Sequence, residues 1–422
     1  MISPRSDGPR RDGRGRSPER APARSSRGTF PRLSKPALAV VAGTSCGVAA
    51  VLVALNVGDG SGQAARVAQR PDPRQASQSP IAAGPAATAE QDRDRGTATL
   101  PGSGRAATRP KKRCTVDKVL APTCGAWWGA AVNTYPQPAA LRAFERKIDR
   151  PVAVYHKYYR GKQVFPSRTD IALAREPGRR RLLLLNWKPD AGESWAKVAS
   201  GSMDGHIDTL SAHIKRNFPE RFWLAIHHEP EEEVRERPGS GYTAADYRAM
   251  FRHVVKRFRE NGVDNAVFTM VYMGYSGYVV KPWFKATYPG NDVVDWIGFD
   301  AYADPSVKTF THLVDRAAPA ERRLGIAGFY RWARANLSSR KPLMLSEWGG
   351  TELSGDPRDK AELFRSIARE IKSYPALKAL IYWDAKNGHK FGDTRVDASG
   401  QALQAYRALG RLPYFNPAVP KR

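Results

Sequence analysis

Two glutamates have the residue type and setting for joint chemistry: Glu229 in LAIHHEPEEE (224–233) and Glu347 in LSEWG (345–349). Carboxyl groups opposed at about 5 to 5.5 Å can break an acetal, one attacking the anomeric carbon while the other protonates the leaving oxygen. Each glutamate closes a short apolar run, so each is placed at the carboxyl end of a strand. Glu347 is read as the nucleophile. Glu229 is read as the general acid/base, which requires the negative partner and partial burial to raise its pKa. Neighbours on a strand face opposite ways, so His227 is expected on the side of Glu229, in reach of substrate or of the acid. Either glutamate alone could be an ion-pair partner in a charged loop, and it is their joint placement that matters most for chemistry.

The elements that must carry them are eight apolar runs alternating with helical segments. The runs are 125–133, 151–159, 180–189, 221–231, 265–274, 294–302, 341–349 and 377–385, and helices are expected near 138–148, 204–217, 243–260, 306–316, 357–372 and 398–409. Apolar runs of this length between helices predict a parallel sheet covered on its outer face. Eight such units predict an α/β fold, a (β/α)8 TIM barrel, and no glycine-rich dinucleotide turn follows the first run. Residues at the strand ends then converge on one face. Among them are Asn133, Trp187, His228, Asp300, Tyr302, Trp348 and Trp383. Such a cleft suits sugar rings, whose C–H faces pack on aromatic planes while their hydroxyls exchange hydrogen bonds. Trp187, Trp348 and Trp383 are the candidate stacking platforms, and Asn133 and Asp300 the candidate polar contacts.

The runs LAIHHEPEEE, GFDAY (298–302) and LSEWG resemble glycoside hydrolase family 26, a set of (β/α)8 retaining enzymes. The resemblance covers about residues 124–385 and implies that His228 and Glu229 form the acid/base motif, Glu347 the nucleophile, and Tyr302 the tyrosine that hydrogen-bonds it. It implies an endo-acting hydrolase of β-linked polysaccharide working by double displacement, with β-1,4-mannan as the first substrate to consider and other β-glucans or β-1,3-xylan beside it. Two positions depart from the familiar mannanases: NWKPD (186–190) stands where a strand-three histidine is usual, and Asp384 rather than arginine follows Trp383. The alternatives from the same site are a transglycosylase and a non-catalytic carbohydrate-binding barrel.

The remaining sequence bounds compartment and partners. Of 10 Trp, 16 Tyr and 15 Phe, only Phe30 precedes Cys114, so residues 1–113 cannot build an aromatic core. Residues 1–35 read as a basic cytoplasmic tail, and 36–57 as an uncharged stretch long enough for a transmembrane segment or a signal segment. Residues 58–113 read as a disordered linker, leaving 114–422 for the barrel. This organisation places the barrel at the extracellular face of the membrane, anchored through 36–57 if that segment stays uncleaved, or secreted if it is removed. The formal charge of +27 comes with no nucleic-acid-binding motif, so nucleic acid is not expected as a partner. Cys114 and Cys124 are either a disulfide clasp or two reduced apolar residues. The eight histidines form no convincing metal set, paired carboxylates need no cofactor, and a monomer is the default.

Overall fold

The computed structural model describes residues 114–417, apart from 133–136, 191, 305, 352–355 and 387–391. Its eight strands are β1 (Trp127–Val132), β2 (Val154–Arg160), β3 (Leu182–Lys188), β4 (Phe222–Ile226), β5 (Ala266–Tyr272), β6 (Trp296–Ala303), β7 (Leu343–Gly350) and β8 (Leu377–Asp384). They are all parallel and close in chain order, β8 pairing back onto β1. The expected (β/α)8 barrel is therefore present.

Alternation along each strand divides the core in two. One set of side chains, including Trp127, Val154, Leu184, Trp223, Trp296 and Ile381, fills the barrel interior. The other set, including Trp128, Trp187, Phe268, Trp348 and Tyr382, packs under the helices. Trp223 stands edge-on to both Trp127 and Trp296, with ring centroids 6.5 and 5.4 Å apart, so aromatic bulk closes the lower barrel without a pore. The expected helices are found, for example Asp204–Asn217, Ala244–Glu260 and Gly400–Gly410. Thr243 and Asp246 form a capping box that fixes where Ala244–Glu260 begins. Short helices not expected from the sequence include Trp195–Ala199 and Phe329–Asn336.

Cys114 and Cys124 are joined by a disulfide across Cα atoms 5.5 Å apart, which settles the cysteine alternatives in favour of the clasp. The loop it closes plugs the amino-terminal end of the barrel. Leu120 is buried there, and the indole N–H groups of Trp127 and Trp296 donate to the carbonyls of Leu120 and Val119 at 2.7 and 2.6 Å.

One part of the expected architecture is corrected. No helix among the described residues is long and apolar enough to cross a membrane, so the described fold supplies no membrane-spanning element for the expected segment or membrane partnership. The stretch 36–57 on which that expectation rested, like the tail and linker around it, lies outside the described residues.

Candidate active site

The polar layer at the carboxyl ends of the strands is set by the inward positions just above the apolar plug. On β2 the inward series runs Val154, His156, Tyr158, and on β6 it runs Trp296, Gly298, Asp300, Tyr302. Gly298 is required for close approach: a Cβ there would meet Ser346 Oγ on β7 and the Val271 side chain on β5. The β6/β7 register shifts between Phe299 and Asp300, and the β7/β8 register shifts between Leu345 and Trp348. These irregularities bracket Glu347, as bulges beside active sites do when they re-aim a side chain.

Glu347 is 7% exposed, so its carboxyl depends on protein donors. It has two: Tyr158 donates to Oε1, and Tyr302 donates to Oε2 at 2.5 Å. Burial raises the Glu347 pKa, and the two phenols oppose that rise by stabilising the carboxylate. Both phenols are themselves pushed well above their ordinary range, by burial first and by the Glu347 charge second, so they stay protonated donors. His156 Nδ1 lies 3.2 Å from the Tyr158 oxygen. Burial pulls the His156 pKa down to about 3, so the ring is neutral. Since the phenol proton goes to Glu347, His156 is the donor in that contact.

Glu229 is held differently. β4 ends at Ile226, after which His227 and Glu229 both adopt left-handed backbone, with φ of 50° and 51°. Such conformations cost non-glycine residues about 1–3 kcal/mol each and persist only where the surroundings impose them. Here His227 N donates to Trp187 O at 2.8 Å and Glu229 N donates to Val271 O at 3.0 Å, fastening the turn to β3 and β5. The Glu229 side chain is 26% exposed and therefore open to a ligand, and its Oε2 lies 4.0 Å from His228 Nε2. Its pKa is raised well above the ordinary carboxyl range, first by burial and then by the charge of Glu347, with Glu231 and Glu232 adding to the rise when they are ionised. Of the two glutamates, Glu229 is thus the one that keeps a proton, while Glu347 has the donors that favour a charge.

The cleft collects several of the residues expected there. His228 packs 5.7 Å from the Tyr158 ring, and Trp383, partly exposed, stands edge-on to the same ring at 5.5 Å. Asp300 is buried in register with Glu347, and its pKa is raised by burial and then by the charges of Glu347 and Glu229. Tyr302 bonds Glu347 as the resemblance implies.

Three expected contacts do not reach the cleft. His227 is fully buried against Trp195 and Tyr247, with Nε2 3.2 Å from Glu233 Oε2, because the two left-handed residues break strand alternation and give the inward position to His228. Trp187 is fully buried between Phe165 and Phe258, its indole donating to Gly161 O at 2.9 Å; Asn186 and Lys188 take the inward positions of β3. Trp348 is fully buried among Trp128, Phe364 and Tyr382, since its neighbour Glu347 faces inward. Asn133 lies outside the described residues.

Tyr158 is the main contributor that sequence reasoning left without a role, although it occupies the second inward position after Val154. Lys188, which ion-pairs with Glu233 and lowers the Glu229 pKa, is another. Among the described residues, no three His, Cys, Asp or Glu side chains are grouped as metal ligands.

Comparison with known proteins matches residues 223–327 to the family Glycosyl hydrolase family 26. The chain is 25% identical over 291 residues to Endoglucanase H of Acetivibrio thermocellus, covering 67% of this chain and 30% of that protein. It is 30% identical over 151 residues to Beta-1,3-xylanase TXYA of a Vibrio species, covering 36% of this chain and 28% of that protein. The chain therefore spans less than a third of the length of either curated relative. A β-mannanase from a symbiotic protist of the termite Reticulitermes speratus, solved with a gluco-manno-oligosaccharide, superposes with a TM-score of 0.45 at 14% identity, over 69% of this chain and 88% of that one. The family match spans residues 223–327, which include Glu229, Asp300 and Tyr302, and over that stretch the barrel is similar to glycosyl hydrolase family 26.

Proposed function

We propose that the barrel is a retaining, endo-acting hydrolase of β-linked glycans. The observation that carries this reading is the unequal setting of two carboxyls in one cleft: Glu347 held by two phenol donors that favour its charged form, and Glu229 pushed toward its protonated form by burial and by Glu347 itself. In the first step Glu347 attacks the anomeric carbon, the bond to the leaving oxygen breaks, and that oxygen takes the Glu229 proton. In the second, the Glu229 carboxylate removes a proton from water as the water attacks the same carbon, releasing a sugar of retained configuration and restoring Glu347. His228 and Trp383 border the cleft where a sugar would lie.

The names of the two curated relatives, an endoglucanase and a β-1,3-xylanase, favour β-glucan and β-1,3-xylan as substrates beside β-1,4-mannan. The disulfide clasp favours work in an oxidising compartment, and hence secretion. The test is a panel of soluble β-mannan, β-glucan and β-1,3-xylan with NMR detection of the first anomer released. The retained anomer is expected. Glu347→Gln should lose about 10⁴-fold or more in turnover while still binding polymer. Initial release of the inverted anomer, or turnover unaffected in Glu347→Gln, would refute the assignment.

A further inference from the structure

The segment following Glu229 contains a buried acid that the double displacement does not use. Glu231 is 4% exposed, and its Oε1 accepts the Met273 backbone N–H at 2.9 Å. Its other oxygen meets no hydrogen-bond partner among the described residues. In a regular parallel ladder, a residue whose N–H binds one carbonyl of the neighbouring strand gives its own carbonyl to the N–H two positions further on. Glu229 N binds Val271 O, so the Met273 N–H would belong to the carbonyl of Glu229. The left-handed backbone of Glu229 breaks that rung, and the Glu231 side chain provides the acceptor instead.

We propose that Glu231 is a positioning residue for the acid/base: by standing in for the displaced Glu229 carbonyl, it locks the left-handed turn onto the end of β5. The inference rests on the reading of Glu229 as general acid/base. Burying an acid costs least when it is neutral, and burial pushes the Glu231 pKa up to about 8. The groups that sense its charge are Glu229 beside it, Tyr247 from the covering helix, Tyr272 on β5, Tyr278 on the short helix Ser276–Val279 and Asp300 on β6; Glu232 acts on Glu231 itself. None of them is a cation, and burial outweighs the two backbone N–H groups, of Glu231 itself and of Met273, that favour the charge, so the carboxyl is inclined to stay neutral and to accept from Met273 through its carbonyl oxygen.

The experiment compares aryl glycosides of the sugar found active in the glycan panel, one with a 2,4-dinitrophenyl leaving group and one with an unsubstituted phenyl group. The first departs without a proton and the second needs the acid. Glu231→Leu should lower kcat/KM by about 10- to 100-fold on the phenyl glycoside and less than about threefold on the dinitrophenyl one, because only protonation depends on where Glu229 points. Glu231→Gln, which keeps a carbonyl acceptor, should stay within about threefold of the parent on both. If Glu231→Leu does not fold, Glu231→Asp, one methylene too short to reach Met273 N, should show the same leaving-group dependence. An equal loss on both glycosides, or a Gln variant as impaired as Leu, overturns the proposal. Glu229→Gln is the control. If it shows no leaving-group dependence, or if no glycan is cleaved, the acid/base reading fails first; if it does and the Glu231 variants do not, the positioning role alone falls.

Discussion

Tyr158→Phe tests the electrostatics of the nucleophile with the least change of shape. It deletes one of the two phenol donors that hold Glu347, leaving Tyr302 on the other oxygen. A hydrogen bond to a charged group contributes roughly 1.5–3 kcal/mol. Glu347 is 7% exposed, so water replaces little of what is lost. At about 1.36 kcal/mol per pKa unit, removing the bond should raise the Glu347 pKa by about one to two units. The sign follows from which form the bond favours: Tyr158 stabilises the carboxylate, so without it protonation becomes easier. The free enzyme needs Glu347 ionised to react, so the acidic limb of the kcat/KM profile should move up in pH by one to two units. The basic limb, governed by Glu229, should follow weakly. At the parent optimum kcat/KM should fall about 10- to 100-fold, since the phenol also releases His156 Nδ1 from its 3.2 Å contact. The assay is initial rates across pH 4–9 on the best glycan of the panel, with circular dichroism confirming the fold. An acidic limb unmoved within about 0.3 units, with kcat/KM within twofold of the parent, would refute the account of how Glu347 is kept charged.

Three further outcomes are expected. Trp348→Ala should destabilise the fold by about 3–5 kcal/mol, read as a lowered urea midpoint, because the ring is fully buried among Trp128, Phe364 and Tyr382. Trp383→Ala should instead leave the urea midpoint nearly unchanged and raise KM severalfold, since its ring borders the cleft beside Tyr158; the reverse pattern would exchange the two roles. Gly298→Ala should cost about 1–3 kcal/mol in the same unfolding assay, because the added methyl meets Ser346 Oγ and Val271 between strands that cannot separate.

The barrel was legible because its rules are periodic. Eight apolar runs separated by helical stretches admit few arrangements, and each strand was located to within a few residues. Glu229 and Glu347 were legible because each ends such a run, and Tyr302 because GFDAY (298–302) carries the family resemblance. Trp187 and Trp348 were not, unlike Trp383, because strand position and facing are separate facts. Trp187 and Trp348 sit at the right height on β3 and β7, but each is an immediate neighbour of an inward polar residue and so must face the helices. Applying alternation outward from Glu347 and Asn186 would have excluded both.

His227 shows the opposite failure, where alternation was applied and the chain did not obey it. The rule predicts that residues 227 and 229 share a face, and left-handed backbone at both positions overturns it. The irregularity falls at the acid/base rather than at an arbitrary loop, and β7 likewise loses its register around Glu347. A regular barrel points its strand-end side chains at the axis, and here the backbone departs from that regularity at both glutamates. The bend costs a ladder hydrogen bond at Met273, and a buried acid restores it from the side. The departures from periodicity that hid His227 are thus the features that give the two glutamates their unequal surroundings, one open at a quarter of its side chain and inclined to hold a proton, the other enclosed and supplied with donors.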